Sequence, residues 1–167
     1  MPQVRQIITP TEPELAQLAD VLVDCVAGGA SVSFMHPLSH DRALAFWRGV
    51  AASDARILLV AEDAAGIVGT VQIVLDQAEN QPHRGDISKM LVHRRGRKAG
   101  IGAALMQAAE AAARDAGRTL LVLDTASGDA ARLYERGGWT LAGVIPDYAL
   151  LPHGGLCDTA IYYRRLG

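Results

Sequence analysis

Cysteine, aromatic residues and net charge are all scarce in this chain. Its two cysteines, Cys25 and Cys157, form no C-x-x-C pair, which excludes the usual cysteine-spaced metal sites. Such sparing use fits a reducing cytoplasm. Aromatics make up 5% of the 167 residues, so a core must be built mainly from Ala, Val, Leu and Ile. A formal net charge of −2 argues against a general nucleic-acid binder, which carries a strong basic excess. No run approaches the roughly 18 apolar residues of a membrane span, and the opening "MPQVRQIITPTEPEL" has no apolar signal core. The five histidines show no H-E-x-x-H spacing, and no metal is expected. These absences predict a cytoplasmic protein that binds neither nucleic acid nor membrane.

Hydrophobic residues make up 50% of the chain, enough for a real core, and the length suits one domain over residues 1–167. Residues 4–8 read as a strand. Thr11 with Glu12 and Glu14 marks a helix start. Leu15, Leu18, Ala19, Leu22, Val23 and Val26 follow at helical spacing, up to a cap at Gly28. "VSFMHPL" is irregular, and Ser39 caps a second helix to about Ala52. "RILLVAED" and "IVGTVQIVLD" around "AAG" read as an antiparallel hairpin. "DISKMLV" alternates, which predicts Ile87, Lys89 and Leu91 on one face and Asp86, Ser88, Met90 and Val92 on the other. Then come a helix to about Ala116, a buried strand "TLLVLDT" and a short helix in "SGDAARLYERGG". A strand "WTLAGVI", a loop "PDYALLPHGGLCD" and a closing strand "TAIYYRRL" complete the chain. This order predicts an α/β fold with a central mixed sheet and flanking helices.

Arg84, Lys89, Arg94, Arg95, Arg97 and Lys98 crowd into fifteen positions. A near-neutral chain with one basic patch suits a small polyanion. The patch runs into "RGRKAGIGAAL", residues 95–105, which opens an Ala/Leu-rich helix. A helix N-terminus offers about four unpaired N–H groups and roughly half a positive charge. Gly100 and Gly102 lack side chains, so an anion can approach the backbone, and Arg97 and Lys98 add full charges. Neither G-x-x-x-x-G-K-[ST] nor G-x-G-x-x-G is present, whereas R-x-x-G-x-G is, at Arg97, Gly100 and Gly102. Alone, that pattern equally suits a basic surface loop whose glycines only serve a turn.

Set between a strand and a helix, the segment resembles the pyrophosphate loop of the GNAT superfamily of N-acetyltransferases. "ARLYERGGW" resembles that family's A-x-x-L-Y-E-x-x-G-F helix at Ala130, Leu133, Tyr134, Glu135, Gly138 and Trp139. Trp replaces Phe, Ser127 stands where Asn is usual, Arg94 where Pro is frequent, and Lys98 where Gly is. "GGASVSFM" (28–35), "LDT" (123–125) and "TAIYYRRLG" (159–167) are similar to segments of the tabtoxin-resistance acetyltransferases, which act on a small β-lactam-containing amino acid. The likeness spans most of the chain. It implies a mostly antiparallel sheet with one splayed parallel strand pair. It implies acetyl-CoA as co-substrate, held by Met90, Leu91, Val92, Arg97, Lys98, Ala99, Gly100, Ile101, Gly102, Ala103 and Ser127. The implied acceptor is a primary amine of a small amino-acid-like or toxin-like molecule. A homodimer joined through the last strands is also allowed by it.

Acetyl transfer needs a neutral amine, yet an alkyl ammonium has a pKa of about 10.4. A base must take its proton. In the tabtoxin-resistance relatives an acidic pair at the positions of Asp86 and Asp124 is associated with that step. Structural roles remain open for both, as a turn residue and a cap. Tyr134, by the motif, is the acid toward sulfur, or else a core tyrosine. A main-chain N–H between Met90 and Val92 is implied as the oxyanion donor. Cys25 lies on an apolar helical face, which favours direct attack over an acetyl-enzyme. "GGASVSFMHPL" and "PDYALLPHGGLCD" are expected to border the acceptor pocket. Three rival readings stand beside this one: an acetyl-CoA sensor without catalysis, an acetyltransferase acting on protein amines, and a nucleotide-binding α/β domain that takes ATP or NAD without preference for CoA.

Overall fold

The computed structural model describes residues 2–126 and 128–167. The elements are β1 (Gln3–Ile7), α1 (Glu12–Ala27), α2 (His40–Ala51), β2 (Arg56–Asp63), β3 (Gly66–Val74) and β4 (Arg84–Val92). A single 3-10 turn, Arg94–Gly96, leads into α3 (Ile101–Asp115), followed by β5 (Leu120–Thr125), α4 (Gly128–Arg136), β6 (Thr140–Leu150) and β7 (Leu156–Arg165). Among the described residues the strands form one seven-stranded sheet in the order β1-β2-β3-β4-β5-β7-β6. The β4–β5 pair is parallel and the other pairs are antiparallel. The mixed sheet expected from the element order is therefore present.

Local chemistry sets the helix ends. Thr11 and Glu14 form a reciprocal capping box, and Ser39 accepts from the Arg42 N–H at the start of α2. Each face of the sheet carries its own core. Leu18, Leu22 and Val26 of α1 pack with Ala43 and Trp47 of α2, Leu58, Val60 and Leu91. On the opposite face, Leu105, Ala109 and Ala113 of α3 pack with Val71, Ile73, Ile87, Leu121 and Leu123, and Tyr134, Trp139 and Tyr162 close that core. Small residues on α3 let it lie close to the sheet, so the scarcity of aromatics costs little packing.

Two expectations need correction. The even alternation of β4 fails at Lys89, where φ is +52° and the register against β3 slips between Thr70/Leu91 and Gln72/Ser88. That bulge gives β4 an extra residue, so Ile87 packs in the α3 core while Leu91 packs in the α1–α2 core. "PDYALLPHGGLCD" is mostly strand: β6 runs on to Leu150 and β7 begins at Leu156, which leaves only residues 151–155 as a turn. Pro146 and Asp147, with φ +53°, sit within a second register shift on this edge strand. An outer edge tolerates the missing N–H of proline. The same edge exposes Leu141, Val144, Ile145 and Tyr148.

At the other sheet edge, Arg5 joins three elements. Its guanidinium donates to both oxygens of Glu62 on β2, at 2.9 and 2.7 Å, and to Glu14 of α1 at 2.6 Å. The Arg5 hydrogen bonds hold the Glu62 carboxyl below its ordinary value. The Thr11 N–H, then Arg5, do the same for Glu14. A carboxyl depressed on folding contributes fully above its unfolded pKa, about 4.3, and the contribution is lost as pH falls through the folded value. Urea unfolding should therefore find Glu62→Gln less stable than wild type at pH 7, with the gap narrowing as pH is lowered below about 4. A constant gap at all pH values would contradict this role.

Candidate active site

The parallel ladder between β4 and β5 is short. It pairs Arg84, Gly85 and Asp86 with Leu120, Leu121 and Val122 and then stops, while β4 continues to Val92 and β5 to Thr125. The two strands part, and past Asp86 the β5-facing edge of β4 has no strand partner among the described residues. An open cleft of about 1160 Å³ follows this gap and reaches the start of α3.

One end of the cleft is the glycine turn. Gly100 is the N-cap of α3, with φ +77° and no side-chain capping bond. A Cβ added at Gly100 would meet nothing within 4 Å, so this position faces open space. Lys98, Gly100, Ile101, Gly102 and Ala103 line the cleft, whereas Ala99 is exposed away from it. The three glycines differ in purpose. A Cβ at Gly96 would lie 2.5 Å from Val68 and 2.7 Å from Ile101, and one at Gly102 would lie 3.0 Å from Leu133. Gly96 thus lets the turn sit on β3, and Gly102 lets α4 approach α3. Only Gly100 serves access.

The basic cluster is not a single patch. Arg84 pairs with Asp86, Arg94 with Asp24 of α1, and Arg95 with Asp63 of β2. Clustering along the sequence concealed partners supplied by other elements. Among the described residues, Lys89, Arg97 and Lys98 have no carboxylate within 4 Å. Arg97 reaches back to the Val92 carbonyl at 3.4 Å and lies against the end of α1 at Gly28. That carbonyl also accepts from the Cys25 thiol. Burial pushes Cys25 up to about 11, so it remains a thiol at neutral pH.

The predicted acid and base residues stand on neighbouring elements. Asp86 and Asp124 share the sheet face opposite Ile87, Leu121 and Leu123, and Asp124 lies two residues beyond Val122, the partner of Asp86. Both oxygens of Asp86 are taken, one by Arg84 and one by Gln77 at 3.1 Å. Asp124 is exposed to the cleft and accepts from the buried Thr159 hydroxyl at 2.9 Å. Tyr134 is buried on α4, its ring 6.1 Å from that of Trp139 and 6.0 Å from that of Tyr162. Burial and then the Asp124 charge raise its phenol to about 12. Trp139 is anchored by its indole N–H to Glu110 of α3 at 3.1 Å, which satisfies the polar group that Trp adds relative to Phe.

Met90 is half-buried beside Gly102, while Leu91 is buried on the far face. Ser127 lies outside the described residues. Sequence reasoning missed Thr159 and Lys89 as site residues. Thr159 is brought beside Asp124 because β7 inserts between β5 and β6, which no local pattern signals. Residues 28–33 and Tyr148 do border the cleft, as expected of their two segments.

A sequence profile described as an acetyltransferase (GNAT) domain matches residues 54–141, more than half of the chain. The chain belongs to the GNAT family. It is thus an N-acetyltransferase by family. Solved structures share the fold across nearly its whole length. A GNAT superfamily phosphinothricin acetyltransferase from Sinorhizobium meliloti, in complex with acetyl-CoA, is 19% identical, covers 99% of this chain and 89% of its own, and gives a TM-score of 0.83. A ribosomal-protein-alanine N-acetyltransferase from Brucella melitensis is 21% identical over 98% of this chain and 99% of its own, TM-score 0.81. An N-acetyltransferase from Staphylococcus aureus is 20% identical over 99% of both, TM-score 0.80. The match at 54–141 takes in the glycine turn, the parting strands and Tyr134 of this GNAT chain.

The packing of Gly96 can be tested directly. Gly96→Ala should lower unfolding free energy by about 1–3 kcal/mol, because its methyl overpacks against Val68 and Ile101. Urea titration measures this; an unchanged midpoint would mean the turn shifts freely.

Proposed function

We propose that this protein moves the acetyl group of acetyl-CoA to a primary amine of a small molecule, by direct attack and without an acetyl-enzyme. The observation that carries the reading is one continuous cleft joining a bare helix N-terminus to the gap where β4 leaves β5, beside Asp124 and Tyr134. The residues fit a ligand with a diphosphate and an amide-bearing arm. Backbone N–H groups of Lys98 and of Gly100 to Ala103 would hold the diphosphate. The unpaired edge of β4 from Met90 to Val92 would hold the arm as an added strand. The Val92 carbonyl, occupied by Cys25 and Arg97, is the least available acceptor there. When bound, acetyl-CoA supplies an activated thioester carbonyl.

The remaining chemistry belongs to the chain. Asp124 is the proposed base: it faces the cleft, and Thr159 fixes one oxygen while leaving the other for an ammonium. Asp86 is the weaker candidate, since Arg84 and Gln77 occupy it, and it holds the closed end of the gap. Tyr134 keeps its proton at working pH and donates toward sulfur. Cys25 stays a buried thiol, which supports direct attack. The GNAT structures with this fold include both a phosphinothricin acetyltransferase and a ribosomal-protein-alanine N-acetyltransferase, so fold alone favours neither acceptor class.

Thiol release over an amine panel tests the activity, and calorimetry with acetyl-CoA, CoA, ATP and NAD tests the donor. Gly100→Asp should weaken acetyl-CoA by more than about tenfold, or about 1.4 kcal/mol. Gly100→Asn, of similar size and tolerant of a left-handed backbone, should stay within about threefold. Equal affinities in the two variants would remove the diphosphate from this turn. Tyr134→Phe should lower kcat by about 10²–10⁴ with little change in acetyl-CoA affinity. With the phenol raised to about 12, wild type should show no Tyr134-dependent descending limb below about pH 11.

A further inference from the structure

The β4 bulge aims Lys89 away from the side that alternation assigns to it. Ile87 belongs to the α3 core, yet the Lys89 ammonium lies 3.2 Å from the Ser33 hydroxyl and 5.6 Å from the centre of the Phe46 ring, both on the α1–α2 side. Two non-glycine residues hold left-handed backbone at this contact, Lys89 at φ +52° and Ser33 at φ +76°. Such conformations persist where surrounding structure enforces them, and they cluster at functional sites. Lys89 lines the same cleft as Asp124 and Tyr134.

Its charge is only partly answered. A hydroxyl and a ring face stand beside it, and no carboxylate lies within 4 Å among the described residues. Burial holds the ammonium below the usual lysine range, the Arg56 charge pushes the same way, and Asp124 opposes. Arg84, Arg94 and Arg95, by contrast, each own a carboxylate. Past the last β4–β5 pair, the cleft therefore has a cation on one strand and a carboxylate on the other, not paired with each other.

We propose that Lys89 binds an anionic group on the acceptor, so that the substrate is an amine that also carries a carboxylate or phosphonate, with its nitrogen directed to Asp124. This rests on the acetyltransferase reading of the same cleft and deepens it. Lys89 is then a specificity-determining residue. The bulge is the device that turns it into the gap, and Ser33 and Phe46 hold it in place without neutralising it. A protein lysine has no anion at a fixed offset from its amine and leaves Lys89 unmatched. An amino acid satisfies both walls at once.

The test pairs each L-amino acid of a panel with its carboxamide, and β-alanine with 2-aminoethylphosphonate to separate the two anions. Two readouts are needed: thiol release with acetyl-CoA, and calorimetric binding of the amines without it. Acids should exceed their amides at least tenfold in kcat/KM, through KM. Lys89→Met should erase that preference by raising KM for the acids to the level of their amides, and Lys89→Arg should restore it. Acids and amides that bind and react alike in wild type overturn the proposal but leave the acetyltransferase reading standing. Acid-selective binding with no turnover of any amine supports Lys89 and sinks the acetyltransferase reading. Neither binding nor turnover of any acid overturns the proposal.

Discussion

The ladder between β4 and β5 holds for three residue pairs and then opens. Main-chain N–H and C=O groups in a sheet normally satisfy one another, and leaving them unpaired is costly unless something else can reach them. Here the unpaired edge lies along a cleft, so a ligand with amide groups can complete the ladder. The same divergence brings Asp124 and Tyr134 to an accessible gap instead of a closed sheet. The candidate site therefore depends first on a failure of strand pairing, and its side chains line the space that this creates.

Around that gap the chain fixes the moving parts in place. Arg94 and Arg95 tie the glycine turn to α1 and β2 through Asp24 and Asp63. Gly96 and Gly102 let the turn and α4 pack closely, and of these three glycines Gly100 is the one where an added Cβ would meet open space. Charge that looks like ligand-binding capacity along the sequence is thus partly spent on holding the scaffold. The helix N-terminus itself supplies the attraction for an anion, from backbone dipoles that need no side chain.

The bulge at Lys89 links backbone irregularity to the specificity proposed for the cleft. A regular strand would bury that lysine's neighbour pattern on one face, whereas the inserted residue reverses the facing of everything after Ser88. Leu91 then serves the α1–α2 core, Met90 packs toward α3, and Lys89 is left in the cleft. One local distortion divides β4 into a structural half and a site-forming half.

Much of this was legible in the residues. The apolar spacing of α1, the caps at Thr11 and Ser39, the strand–turn–helix around Gly100 and the order of elements follow from local rules, because each depends on neighbours close in the chain. The motif at Tyr134 was equally readable, since α4 carries Ala130 to Glu135 and the turn directly after it carries Gly138 and Trp139. Tertiary structure alone decided which charges meet, because Asp24, Asp63 and Thr159 reach their partners across distances in sequence that no periodicity encodes. It alone decided that β6 and β7 extend through Pro146 and Cys157, where edge pairing overrides a loop-like composition. It alone turned Lys89 into the gap, because a bulge is the outcome of competition between two strands and two cores rather than a property of the strand's own residues.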